Sequence, residues 1–234
     1  MIPTAMQLES NNHLIESFET FFQSWLIEQE RYLQQLLRLS SESCNENCIS
    51  EKRLIIDQVL AHYRAYYIAK SKVTQENVFL VLSPTWFTAF ERTYLWIAGF
   101  RPGLAFTLVN KNVSDLSRNQ SLMLKELLDE IKAEEKQLTD EFTRVQQTMV
   151  SQTMILLARD EGPLENGRLT ELNRAIDRLR LAMETLVECA DYLRGKTVLR
   201  IVEILSAAQS VRFLVAATQF QLRIRSLGLQ REAN

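Results

Sequence analysis

Few side chains in this sequence are equipped to do chemistry near neutral pH. Only two histidines are present, His13 and His62, and histidine is the one side chain whose ordinary pKa lies there. Neither sits in a catalytic pattern, and no GxSxG, HExxH, GxGxxG or P-loop occurs. Carboxylates are plentiful but alternate with lysine and arginine along helical faces, the pattern of a solvated surface. The chain therefore reads as a non-enzyme with no catalytic residues. His62 stands at helical spacing from Val59, Ala65 and Tyr66. That fits a partly buried structural histidine hydrogen-bonded to a neighbour, the alternative being a haem or metal ligand. Cys44 and Cys48 are four residues apart, but a tetrahedral zinc site needs four ligands. His13 and Cys189 would have to come from distant segments, so no metal is expected. Two reduced, exposed loop thiols are the simpler reading, with a regulatory disulfide as the alternative.

The densest chemistry is apolar. Residues 83–103 carry Trp86, Phe87, Phe90, Tyr94, Trp96 and Phe100, six of the twenty aromatic residues. Ser83 followed by Pro84 predicts a helix start, and Gly99 a left-handed stop with Pro102 just beyond. Between them the spacing predicts a short helix that is apolar nearly all round and so enclosed by other helices. Its buried polar pair, Glu91 and Arg92, needs satisfaction, and Arg92 or Arg101 is the expected partner for the carboxylate.

The run LSPTWFTAFERTYLWIAGFRP (82–102) resembles the central signature of the plant Delay of Germination domain. That domain also forms the C-terminal part of TGA-type bZIP transcription factors. Residues 18–36, 62–73 and 206–227 resemble the same family in the expected order, so the likeness spans roughly residues 12–228. It implies a regulatory adaptor working through protein contacts, in seed dormancy and abscisic-acid signalling or in pollen aperture formation. Clade A protein phosphatases or TGA-type bZIP factors are the implied partners, and a homodimer is left open. TGA-type domains are described as holding lipid, which suggests an apolar pocket of Trp86, Phe90, Trp96 and Phe100 with Arg101 at its mouth for a fatty-acyl carboxylate. One member of the resembled family binds haem through histidines late in its chain, and this sequence has none after His62. Pairing with TGA-type factors as a transcriptional co-regulator is a third reading. The first basic residue is Arg31, preceded by five glutamates, so no basic region exists for the major groove and no direct nucleic-acid contact is expected.

The elements that position these residues are all expected to be helices. Of 234 residues only six are glycine and four proline, while 46% are hydrophobic. Long side chains with few turn formers point to an all-α class, a single multi-helix bundle. Helices are expected from Asn11 or Asn12 to Leu39, from Glu51 to Lys72, from a Thr74 cap to Leu82, and over 102–109. The longest periodic segment, 117–158, repeats apolar residues in steps of four and three, with Glu135 and Gln152 in the same seam. At 1.5 Å per residue it would run on the order of 60 Å. Its polar breaks favour a partner within the bundle. A soft loop is expected at 159–167, then a helix over 168–194 ended by Gly195, a continuation over 198–205, and a capping box from Ser206 to Gln209. Gly228 would end the last helix, leaving 1–11 as a flexible N-terminus and 229–234 as a tail. The start of the chain has no secretory pattern and no run is long enough to span a membrane, so a cytoplasmic or nuclear protein is expected.

Overall fold

Local sequence rules act most directly at helix starts. Ser117 and Ser206 each take an extended N-cap backbone, and each accepts from the N–H of a glutamine three residues on. Gln120 and Gln209 return the bond to the serine N–H, closing the reciprocal box that satisfies two otherwise orphaned donors. The two glutamines also reach each other, Gln120 Nε2 donating to Gln209 Oε1 at 2.8 Å, so the two starts are stapled together.

The computed structural model describes residues 5–41, 46–158 and 166–233. Among them every regular element is helical: α1 (Ala5–Ser41), α2 (Glu46–Leu82), α3 (Ala89–Arg92), α4 (Leu104–Asn112), α5 (Arg118–Val145), α6 (Ser151–Ala158), α7 (Asn166–Ile204) and α8 (Ala207–Glu232). A single π-helical turn, Gln146–Val150, joins α5 to α6. The result is an all-α bundle. The expectations at Cys44 and Cys48 fall outside the described side chains, and so do residues 159–165 of the loop expected at 159–167, whose last two residues already belong to α7.

α5 packs along α7, so the regular seam finds its partner within the chain. Leu124, Ile131 and Val145 are buried there. Glu135 is buried too, because its Oε1 accepts the N–H of Gly103 at 2.6 Å and so caps the start of α4. The apolar interior forms two clusters. One gathers Leu36, Val59, Phe106, Ile131, Ile201 and Phe213; the other gathers Phe18, Trp25, Val78, Trp86, Met183 and Leu186. Tyr63, Trp96 and Leu138 pack against both.

Several boundaries differ from the sequence reading. α1 begins at Ala5, ahead of Asn11. Thr74 starts no helix: it is buried inside α2 and its hydroxyl donates back to the Lys70 carbonyl at 3.0 Å. The interruption falls at Asn77 (φ −155°, ψ 94°), whose Oδ1 accepts from the Phe79 N–H. Gly195 lies within an unbroken α7, and Gly228 within α8. Helix packing on both sides overrides their weak propensity. Gly228 is there for closeness, since a Cβ on it would sit 2.0 Å from Thr88 Oγ1.

The largest correction concerns the aromatic stretch. The expected central helix shrinks to the four residues of α3, started by Thr88 and not by Ser83, with Glu91 completing a capping box. The rest of 83–103 is a strap of turns. Its left-handed residues are Ile97 (φ 44°) and Ala98 (φ 59°), not Gly99.

Candidate binding cleft

α2 carries Tyr63, Tyr67 and Lys70 at helical spacing, and these side chains form one wall of a cleft of about 760 Å³. The strap supplies Leu95, Phe100 and Arg101, α4 supplies Leu104 and Leu108, α7 runs along the other side, and α8 adds the apolar Phe213 and Ala217.

The deepest charges belong to Lys70, Asp191 and Arg194. Lys70 is 1% exposed, and its Nζ donates to Asp191 Oδ1 at 2.9 Å and to the Ala98 carbonyl at 2.7 Å. Arg194, one turn beyond Asp191 on α7, donates from Nη1 to the same carboxylate at 2.6 Å. Its Nε donates to the carbonyl of Phe100 (2.7 Å) and its Nη2 to those of Ile97 (2.9 Å) and Trp96. A planar fork of five donors suits this task, binding three carbonyls and a carboxylate from one head group. Ile97 and Ala98 are thereby held in a backbone region that costs an L-residue about 1–2 kcal/mol. Gly99 is needed for proximity: a Cβ there would meet Arg194 Cζ at 2.7 Å.

Burial pushes the Lys70 ammonium down to about 8, with the Asp191 carboxylate opposing the shift. Burial likewise pushes the phenols of Tyr63, Tyr66 and Tyr67 up, so they stay neutral donors. Six cations line the cleft (Arg64, Lys70, Arg101, Arg194, Lys196, Arg200) against two carboxylates, Asp191 and Glu203. Such a site is built to bind: apolar walls, a fixed cationic floor and an exposed cationic rim.

Of the expected pocket residues, Phe100 and Arg101 line this cleft and Trp86, Phe90 and Trp96 do not. Trp86 is buried in the second cluster with its ring 4.4 Å from that of Phe18. Phe90 lies beneath the guanidinium of Arg231. Trp96 is flanked by Arg101 and Arg194 at 5.6 and 5.4 Å, and its Nε1 donates to Thr139 at 3.0 Å. Glu91 pairs with neither Arg92 nor Arg101. Its partner is Arg225 of α8 at 3.3 Å, together with the Thr88 N–H at 2.7 Å. Arg92 instead donates to the carbonyls of Pro84 and Phe87.

His62 is buried as expected, but it is held by stacking in place of a side-chain hydrogen bond. Its ring lies 4.5 Å from that of Trp25 at an angle of 5°, its Nε2 has no partner among the described residues, and its carbonyl accepts from Trp25 Nε1 at 3.0 Å. The residues that sequence reasoning missed are Lys70, Asp191 and Arg194. A readable signal existed: Lys70 continues the Tyr63 and Tyr67 stripe, and Asp191 and Arg194 interrupt the apolar face of Ala190 and Leu193.

A family model described as "DOG1: Seed dormancy control" matches residues 32–111, which contain α2, the strap and all but the last residue of α4. Protein ZW2 of Arabidopsis thaliana is 34% identical over 219 residues, covering 92% of this chain and 97% of that protein. The chain belongs to the DOG1 family. This DOG1-family chain is also 31% identical to Protein RESPONSE TO ABA AND SALT 1 of the same plant, over 94% of its own length and 99% of the relative's. Transcription factor TGA5 is 30% identical, and there the match covers 90% of this chain but 63% of the factor. Of these relatives, one is named for a response to ABA and salt and another as a transcription factor. Among the described residues of this member, no helix is long and apolar enough to cross a membrane, and no group of three or more histidine, cysteine or acidic side chains is placed to hold a metal.

Proposed function

We propose that this DOG1-family chain is a non-enzymatic plant regulatory adaptor of the cytoplasm and nucleus, acting by protein–protein contact. Its process is seed dormancy and abscisic-acid signalling or a related developmental step such as pollen aperture formation. The observation that carries this reading is the cleft, whose buried ions are spent on holding the strap's backbone. Lys70 and Arg194 shape a surface; among the described residues their head groups go to strap carbonyls and to Asp191, not to a nucleophile or a proton relay. The names of RESPONSE TO ABA AND SALT 1 and of transcription factor TGA5 support the regulatory setting. The test is capture of purified clade A phosphatases and TGA-type bZIP factors by the tagged full chain. Specific retention of one of them without added ligand is expected, and failure with every one removes the adaptor reading.

A second reading has its own support. Apolar walls over a cationic floor in about 760 Å³ suit a fatty-acyl carboxylate. Native mass spectrometry of the purified chain should then show a retained acyl mass, and a bare chain mass rejects it. Haem has no such support, since His62 is stacked under Trp25 and is not on the cleft wall. The likeness to TGA factors supports mixed dimers with them as a further form of the adaptor reading.

A further inference from the structure

The geometry points to the cleft between α2, the strap and α7 as a docking groove for an acidic, apolar-anchored helical segment of a partner protein. This rests on the adaptor reading and adds where the partner sits and what chemistry it brings. Charge is the first support. The chain carries a net −2, yet cations dominate the cleft. Two of them, Arg64 on α2 and Arg101 on the strap, are exposed and have no acidic partner among the described residues; Arg101 only stacks on Trp96. Unlike Lys70 and Arg194, their head groups are not committed to the backbone. An acidic partner therefore gains attraction at the rim without dismantling the floor.

Apolar surface is the second support. Tyr192 is 72% and Leu199 42% exposed, and both line the cleft from one face of α7, seven residues apart. A small ligand taken into the cleft would leave this rim in water. A helix laid across it would cover the rim and send anchors inward at i, i+3 and i+7. Aliphatic or aromatic anchors flanked by Asp or Glu are the complement of these walls.

Fluorescence anisotropy of the full chain tests this with two labelled synthetic peptides. One is an amphipathic helix with leucine and tryptophan on one face and glutamate on the other; its twin has every glutamate replaced by lysine. The glutamate peptide is expected to bind, weakening as salt rises, and the lysine twin is not. The double variant Arg64→Glu/Arg101→Glu should lose roughly tenfold or more in affinity, and Tyr192→Ala several-fold. All three side chains are exposed, and an unchanged melting curve verifies the fold. Equal binding of the two peptides, or unchanged affinity in the double variant, overturns the proposal. An acyl chain that must be stripped before peptide binds, and that displaces it on return, also overturns it by giving the groove to a small ligand. If the wild type and the double variant capture a phosphatase or bZIP factor equally well, the groove assignment fails while the adaptor reading stands. If no such protein is captured but the glutamate peptide binds with the stated charge preference, the groove stands and that reading falls.

Discussion

His62 and Arg194 show how single residues tie this fold to pH and to shape. Burial against Trp25 and Tyr32 holds the His62 imidazole down to about 4, against about 6.5 in an unfolded chain. The unfolded chain takes up the proton first, so this contribution is complete above about pH 6.5 and is lost as pH falls towards 4. The loss between pH 7 and pH 5 should be on the order of 2 kcal/mol. Urea titrations at the two pH values check it: His62→Phe, which keeps a ring against Trp25, should flatten the dependence, and an unchanged slope would sink the assignment. Arg194 acts through geometry. Arg194→Lys retains the charge beside Asp191 but strips donors from the carbonyls of Trp96, Ile97 and Phe100. A destabilisation of about 2–4 kcal/mol is expected from the orphaned groups. A melting temperature equal to that of the wild type would show that the strap holds itself.

At the scale of the element, α5 carries a polar residue where its periodicity asks for an apolar one. Glu135 breaks the seam because it answers the Gly103 N–H at the start of α4. Glu135→Leu would complete the heptad pattern and, on sequence grounds alone, stabilise the helix. The tertiary contact reverses the sign: a loss of about 1–3 kcal/mol is expected from the unpaired Gly103 N–H. Chemical denaturation of the full chain decides between the two, and a gain in stability would refute the capping role.

The molecule as a whole is expected to unfold as one unit. Its two apolar clusters share Tyr63, Trp96 and Leu138, and α2, α7 and α8 contact one another, so neither cluster can open without exposing the other. Tryptophan fluorescence reports mainly the cluster of Trp25 and Trp86, while far-UV circular dichroism reports all helices. The two urea transitions should coincide. Separate midpoints would mean that the clusters are independent.

Much of this was legible in the sequence because it depends on local or periodic chemistry. The helical class follows from glycine and proline scarcity and apolar spacing, and the start of α8 from Ser206 and Gln209. The seam of α5 is legible as packing within the bundle, and α5 does lie along α7. The buried place of His62 is legible too, from its helical spacing to Val59, Ala65 and Tyr66. What tertiary structure alone decided is the path of 83–103 and the wall of the cleft. Composition there favours a helix. Yet the backbone is drawn into turns by donors about a hundred residues away on α7 and nearly thirty away on α2, and Glu91 finds Arg225 from α8. Gly99 and Gly228 look like helix stops by type but serve as close-approach points for Arg194 and Thr88. A sequence encodes how far apart residues lie along the chain; which donors reach which carbonyls depends on distances in space, and those exist only once the helices have packed.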